Sequence, residues 1–469
     1  MPGLTLTLAS APPSAALLSQ AAAQFGTPLY LYDLALIEAR FAALDHSLPQ
    51  NFRLHYALKA NSNLTLSHLL ARRGAAAEVS SLGEFIAALK SGYPAEETVF
   101  TGPGKTNYEL AEALNYHIGL IVVESANEAR RLNQIAAEQG KQQSILLRIN
   151  PQFRTLNSCD SGCAIDAETN SVVHAAENPN AASETIESET IETISEANGS
   201  HNGDTLKPIA MNGQGASKFG VDEAQAAAEL LQIQSLSHVR LRGIHVFTES
   251  NVLDYRQLID AWQNTVAIAH RLRAQGFCIE VIDFGGGIGV PYNSVDAAFD
   301  VPAFGAALQA LFSHEPFHFI LEMGRYLVCE AGMYLTEVLD IKESQGKRFA
   351  ILNGGVHHLY RTPAMQNASK FLRVLGKESS DTMPTTIAGQ LPTPIDVVVR
   401  DALLPVDLEI GDRLVIRNCG AYGFNHSLTN FALHPAPAEV AIWGDRLELI
   451  RARSCYEDFF QHQRLVQFD

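Results

Sequence analysis

The chain has 469 residues, with 51 acidic against 34 basic side chains and a formal net charge of −17. That length can bury a large core and makes two domains the natural expectation, while the acidic balance argues against nucleic acid or an anionic membrane as partner. No run approaches the ~18–20 apolar residues of a membrane span, the N-terminus lacks the basic and apolar regions of a signal peptide, and six scattered cysteines fit the reduced thiols of a cytoplasmic protein better than a disulfide framework.

In chain order, "PLYLYD" (28–33) comes first, as a short β-rich run that the pattern assigns to a segment 1–35 pairing with a later β domain. Eight further β-rich runs follow: "FRLHYAL" (52–58), "AAAEV" (75–79), "TVFTG" (98–102), "GLIVVE" (119–124), "SILLRIN" (144–150), "LRGIHVF" (241–247), "CIEVIDF" (278–284) and "FHFILEM" (317–323). Stretches with helical spacing lie between them, such as "EFIAALKSG" and "DYRQLIDAWQNTVAIAHRLRAQG", each ending in a glycine that suits a helix C-cap. Eight βα units in series predict a (β/α)8 barrel over residues 36–332. A doubly wound open sheet is the alternative; the count of eight and the absence of a Rossmann glycine pattern favour the barrel.

One segment breaks the pattern. Residues 155–206 hold ten acidic residues, no lysine or arginine, and the near-repeat "SETIESETIETISE". It reads as a disordered acidic insertion after the fifth strand. Cys159, Cys163 and His174 within it are too few and too loosely spaced for a metal site, so no metal is expected. After residue 332, "MYLTEVLDIKES", "KRFAILNGG", "PIDVVVRD" and "DRLVIRN" alternate between turn residues and predict a C-terminal β domain over 333–469.

Functional groups of such barrels gather at the C-terminal ends of the strands. Lys59 lies just past the first strand, in "HYALKANSN". A lone lysine there is ordinarily a solvated strand cap. Gly285, Gly286 and Gly287 follow the seventh strand, where bare backbone N–H groups can approach a phosphate. Glu322 ends the eighth strand and needs a partner if buried, either Arg325 or a protonated ring nitrogen. A lysine, a phosphate loop and a carboxylate for a pyridinium are the parts of a pyridoxal phosphate site. His245 and Phe247, two apart, face the same way and suit the ring's face; barrel core is the other reading of both.

"YALKAN", "HVF", "GGGIGV", "EMGRY" and "CGAYG", in that order, resemble the fold-type III pyridoxal phosphate decarboxylases, which include the diaminopimelate and ornithine enzymes. "GPGKT" (102–106), "TEVLDIK" (336–342), "GQLPTPID" (389–396) and "FALHPAPAEV" are more similar to the branch that acts on citryl-amino-acid intermediates in siderophore assembly. The resemblance implies an alanine-racemase-like barrel with a β domain, a homodimer with interfacial active sites, an amino-acid substrate and a decarboxylase activity. It further implies that Lys59 forms the Schiff base, that Gly285–Gly287, Arg325 and Tyr422 hold the phosphate, and that Glu322 meets the pyridinium. Arg148, Glu78 and Glu84 are supporting polar residues on the same basis.

The sequence departs from that family at three points. Phe247 stands where a ring-stacking histidine is usual. Pro392 replaces the interface cysteine that protonates the product across the dimer, although Asp396 remains. Asn353 replaces an aspartate that meets a distal ammonium in ornithine-type enzymes. With His357, His358 and Arg361 nearby, Asn353 suggests a substrate bearing carboxylates or hydroxyls. An amino-acid racemase and a non-catalytic binding protein are the rival readings, the latter prompted by Pro392.

Overall fold

The computed structural model describes residues 12–152, 217–292, 296–360, 371–377 and 379–468. The acidic segment 155–206, with Cys159, Cys163 and His174, and the substrate candidate Arg361 lie outside them.

Eight parallel strands close into a barrel. In chain order they are Phe52–Ala57, Ala76–Val79, Thr98–Phe100, Leu120–Val123, Gln143–Asn150, Val239–His245, Val281–Asp283 and His318–Met323. Each pairs with the next, the eighth pairs back onto the first, and Glu322 lies beside His55 across that closing seam. These are the eight runs read from the sequence, and the open-sheet alternative is excluded by the closure. Between the strands run helices such as Leu82–Ser91, Ala126–Glu138 and Tyr255–Ala274. Their starts are fixed by side-chain caps: Ser81, Ser125 and Asp254 each accept a hydrogen bond from a first-turn N–H, satisfying donors that a helix leaves unpaired.

Strand parity decides what faces where. Leu54, Tyr56 and Leu58 are buried among the helices' apolar faces, in one continuous cluster with Trp262, Phe284 and Phe319. Trp262 stacks on Phe284 with ring centroids 4.5 Å apart, and Phe284 stacks on Phe319 at 5.1 Å, contacts that add to the burial of three large rings. The opposite parity forms a separate small layer of Val99, Val122, Leu146, Val281 and Ile320 inside the barrel. Two residues further along, the same inward parity carries Arg148, Asp283 and Glu322. The lining above the apolar layer is therefore polar.

The second sheet is mixed and has nine strands among the described residues. Its long strand Gly332–Ser344 pairs antiparallel with Lys347–Leu352, with Arg413–Arg417 and with the early strand Leu29–Asp33. Leu29–Asp33 also pairs in parallel with Ala438–Trp443. The segment before the barrel thus supplies an interior strand of the C-terminal sheet.

Candidate active site

A cavity of about 500 Å³ opens at the C-terminal ends of the barrel strands, lined among others by Lys59, Arg148, His245, Phe247, Gly286, Gly287, Glu322, Arg325 and Tyr422. Residues from the first, fifth, sixth, seventh and eighth strand ends therefore meet there, whereas the substrate candidates Asn353, His358 and Asp396 are not among the lining. Lys59 sits on a short 3-10 turn, Leu58–Ala60, directly after the first strand. Two residues beyond Ala57, it keeps the inward parity of that strand. Its side chain is 40% exposed into the cavity, with Nζ 3.1 Å from Glu78 and 3.9 Å from Glu322. Partial burial opposes the charged amine, but the two carboxylates outweigh it and raise the Lys59 pKa.

Glu78 lies within the second strand rather than after it, fully buried. It accepts hydrogen bonds from Ser80 (3.0 Å) and from the Thr101 hydroxyl. Glu84 accepts from the Ser80 N–H at 2.7 Å. Burial, and then the charge of Glu78, push the Glu84 carboxyl up to about 7.

Glu322 is buried, and its Oε1 lies 3.5 Å from His245 Nε2 without accepting a hydrogen bond. Asp283, also buried, spends one oxygen on the Gly285 N–H at 2.8 Å. Two buried carboxyls this close share their charge unequally. Burial and the neighbouring Glu322 push Asp283 well up. Burial opposes ionisation of Glu322 as well, but the His245 imidazole, the Lys59 charge and Asp283 together hold it below the ordinary carboxylate range. The proton is thus favoured on Asp283 and the negative charge on Glu322. The sequence reading missed Asp283, although its place two residues before Gly285 on the inward parity marks it.

The loop after the seventh strand needs its glycines. Gly285 has φ +62°, and a Cβ there would stand 2.6 Å from the Phe247 ring; one on Gly286 would stand 2.5 Å from the Glu322 carbonyl oxygen. Arg325, one short turn beyond Glu322, does not pair with it. Its guanidinium donates to the Tyr292 hydroxyl at 2.7 Å and lies 4.8 Å from the Tyr422 ring centroid. Arg148 pairs with Glu124 at 3.2 Å and packs over Phe219.

This donor set fits pyridoxal phosphate. An amine stands on one wall, a side-chain-free loop with an arginine and a tyrosine can receive a phosphate, and a buried carboxylate oxygen without a hydrogen-bond donor can receive a ring N–H. His245 and Phe247 offer flat faces beside it.

The expected substrate residues fare differently. Asn353 does not line the cavity: its oxygen accepts from Thr336 Oγ1 and the Glu337 N–H, and its amide donates to Thr27. Asp396 is buried and accepts from the Val356 and Leu391 N–H groups, so it braces its own loop. His358 is buried between Tyr334 and the Pro435 carbonyl, at 3.2 and 3.0 Å. Burial and then the neighbouring His357 lower its pKa to about 3, so it is a neutral packing residue and not a cation for substrate. His357, also buried, is lowered to about 4 by burial and by His434.

These depressed imidazoles carry a stability consequence. Unfolded histidines titrate near ~6.5, so between there and the depressed folded values the unfolded chain binds more protons. Their contribution is complete above about pH 6.5 and is lost as pH falls toward about 4. Thermal melts across that range should show a falling Tm, and His358→Asn should flatten the acid limb. Parallel curves for the two proteins would remove His358 from this account.

Residues 34–192 and 200–329 match the family model of the pyridoxal-binding domain of pyridoxal-dependent decarboxylases. The chain is 31% identical over 454 residues to the L-glutamyl-(BtrI acyl-carrier protein) decarboxylase of Niallia circulans, covering 94% of each chain. It is 30% identical over 440 residues to the diaminopimelate decarboxylase of Aquifex aeolicus, covering 94% of this chain and 92% of that protein. The crystal structure of diaminopimelate decarboxylase from Helicobacter pylori complexed with L-lysine superposes with a TM-score of 0.75 at 27% identity, over 95% of this chain and 98% of that one. Together with the lysine, glycine loop and buried carboxylate converging on one cavity, these likenesses set aside the racemase and non-catalytic readings: the chain belongs to the pyridoxal-dependent decarboxylase family and is a carboxy-lyase that uses pyridoxal phosphate.

Proposed function

We propose that the protein decarboxylates an amino acid whose far end carries carboxylates or hydroxyls, such as a citryl-amino-acid intermediate of siderophore or related specialised metabolism. The observation that carries this reading is the charge of the cavity wall. Beyond the groups that would hold the cofactor (Lys59, His245, Glu322, Arg325 and Tyr422), His426 and Arg148, the latter paired with Glu124, line it, and among the described residues no further carboxylate does. Among the described residues, a distal ammonium therefore finds no free counter-charge in the cavity, whereas a distal carboxylate meets donors. The relative from Niallia circulans acts, by its name, on a glutamyl group held by a carrier protein, which supports substrates longer than a free amino acid.

Bound pyridoxal phosphate supplies the electron sink for the pair left when the α-carboxylate departs. Lys59 would hold its aldehyde carbon, and Glu322 would hold the proton on its ring nitrogen. His245 and Asp283, beside Glu322, favour its charged form. Gly285–Gly287, Arg325 and Tyr422 would seat the phosphate, with Phe247 against the ring.

Carbon dioxide release should be measured for citryl-type and other amino acids whose far end bears carboxylates without an ammonium, against diaminopimelate, whose far end bears both, and against ornithine and lysine, whose far end is an ammonium alone. Loss of one charge-assisted contact corresponds to roughly 10- to 150-fold in kcat/KM, so the carboxylate-bearing substrates should lead by at least about tenfold. Preferred turnover of ornithine or lysine would overturn the assignment, and preference for diaminopimelate would place the chain with the enzymes of that name. The reading includes a homodimer, supported by the exposed Leu428, Phe431 and Leu433 that follow His426. A monomer by sedimentation at micromolar concentration would remove that part.

A further inference from the structure

Loss of carbon dioxide leaves an electron pair at Cα that must receive a proton. The loop that would offer a thiol for this carries Pro392 instead. Cys419, the nearest cysteine in sequence to the cavity-lining Tyr422, is buried and turns its thiol toward the Ile416 and Arg417 carbonyls at 3.2 and 3.3 Å. It does not line the cavity.

His426 does line the cavity, and it is exposed. It ends a short 3-10 turn, Phe424–His426. That turn is tied directly to the Lys59 segment: the Tyr422 N–H donates to the Ala60 carbonyl at 2.8 Å, the Asn61 amide donates to the Gly420 carbonyl at 2.9 Å, and the Asn425 amide donates to Ser62 Oγ at 3.1 Å. On its other side, Ser427 Oγ receives the Tyr360 N–H at 2.9 Å and donates to the Gly423 carbonyl at 2.6 Å. This sets the Tyr360 ring edge-on to the His426 ring, with centroids 5.7 Å apart. The imidazole is thus held in place by its backbone neighbours. Among the described residues its nitrogens make no hydrogen bond or ion pair with the protein.

We propose that His426 is the proton donor that completes the decarboxylation, in place of the missing interface thiol. The proposal rests on the decarboxylase reading above. In the step, the bond from Cα to the carboxylate breaks and carbon dioxide leaves. The imidazolium of His426 gives its proton to Cα, the pair left behind becomes the new C–H bond, and the neutral imidazole recovers a proton from water at the cavity mouth. An imidazole suits both halves, since a ring nitrogen can carry a proton to Cα and take another from water. The exposure that would be wasteful for a packing residue is what reloading requires. Of the other cavity groups, Tyr422 would hold the phosphate, and Tyr360 stands edge-on to His426. Lys59, on the same wall, is the serious competitor.

The test separates carbon dioxide release from amine formation in the pyridoxal phosphate-loaded enzyme. In the native protein the two should keep pace. In His426→Gln the first equivalent of carbon dioxide should still appear at close to the native rate, while amine formation falls by roughly 100- to 10,000-fold, the contribution of a placed general acid. Cofactor affinity, followed by absorbance titration, should be unchanged. In His426→Gly, added imidazole should restore amine formation. If native protein turns over but His426→Gln forms amine at an undiminished rate, the donor is another group and the proposal fails. It also fails if carbon dioxide and amine slow together with a raised KM, or if imidazole does not restore the glycine variant, because His426 would then act by positioning substrate. A native protein that releases no carbon dioxide from any amino acid overturns the underlying reading and this one with it, an outcome the native control shows by itself.

Discussion

Lys59→Ala should abolish decarboxylation, lowering it by at least about 10,000-fold, the scale reached when a covalent catalytic group is removed. The amine is the cavity's attachment point for an aldehyde, and among the described residues no second lysine lines that wall. Borohydride reduction of the native holoenzyme should fix the cofactor's mass on the peptide containing Lys59, and the variant should show no such adduct. The fold should survive. The lost ammonium leaves Glu78 and Glu322 facing each other, but Lys59 is 40% exposed, so water reaches the gap and one carboxyl can take a proton. Turnover near the native rate, or an adduct on another lysine, would reject Lys59 as the attachment point.

Glu322→Gln should cost roughly 100- to 1,000-fold in kcat, the scale of removing one preorganised charge from a buried site. The native side chain lies where His245 and Lys59 favour its charged form, with one oxygen that accepts no hydrogen bond among the described residues. A glutamine of the same shape offers no negative charge and cannot keep a ring nitrogen protonated. The cofactor should still attach to Lys59, so the borohydride adduct persists while turnover falls. That split distinguishes loss of the electron sink from loss of the cofactor. If the variant keeps native kcat, Glu322 has only a packing role, and if it also loses the adduct, its main work is to order Lys59.

The barrel was readable because its strands are short, β-branched and parted by helices with clear caps. Lys59 was readable for a subtler reason. Leu54, Tyr56 and Leu58 mark the helix-facing parity, so a charge at 59 falls on the inner one. Asp283 could have been found the same way from Val281 and the glycines after it. What could not be read was how backbone groups use a polar side chain. Asn353, His358 and Asp396 look like substrate contacts in a string of letters, yet each is occupied by N–H groups, hydroxyls or carbonyls from segments remote in sequence. Thr27 binding Asn353, and Pro435 binding His358, depend on chain crossings that local pattern does not encode. His426 and Cys419 stand in the motif that carries Tyr422, and the letters offer both as candidate acids; that His426 rather than Cys419 reaches the cavity wall follows from hydrogen bonds to the Lys59 turn.

The strand Leu29–Asp33 sits between Gly332–Ser344 and Ala438–Trp443. During synthesis, then, this strand waits roughly 400 residues for its second neighbour to emerge. At ribosomal rates of ~5–20 residues per second, that wait is on the order of 20–80 s. Throughout it, the nascent chain displays the apolar run "LYLY" with unpaired backbone groups, the kind of edge that other chains can join. The barrel can close around its own strands before the end of translation, but the β domain cannot. A chain cut short anywhere before residue 438 is therefore more than a shorter enzyme, because it leaves its N-terminal strand open on one side.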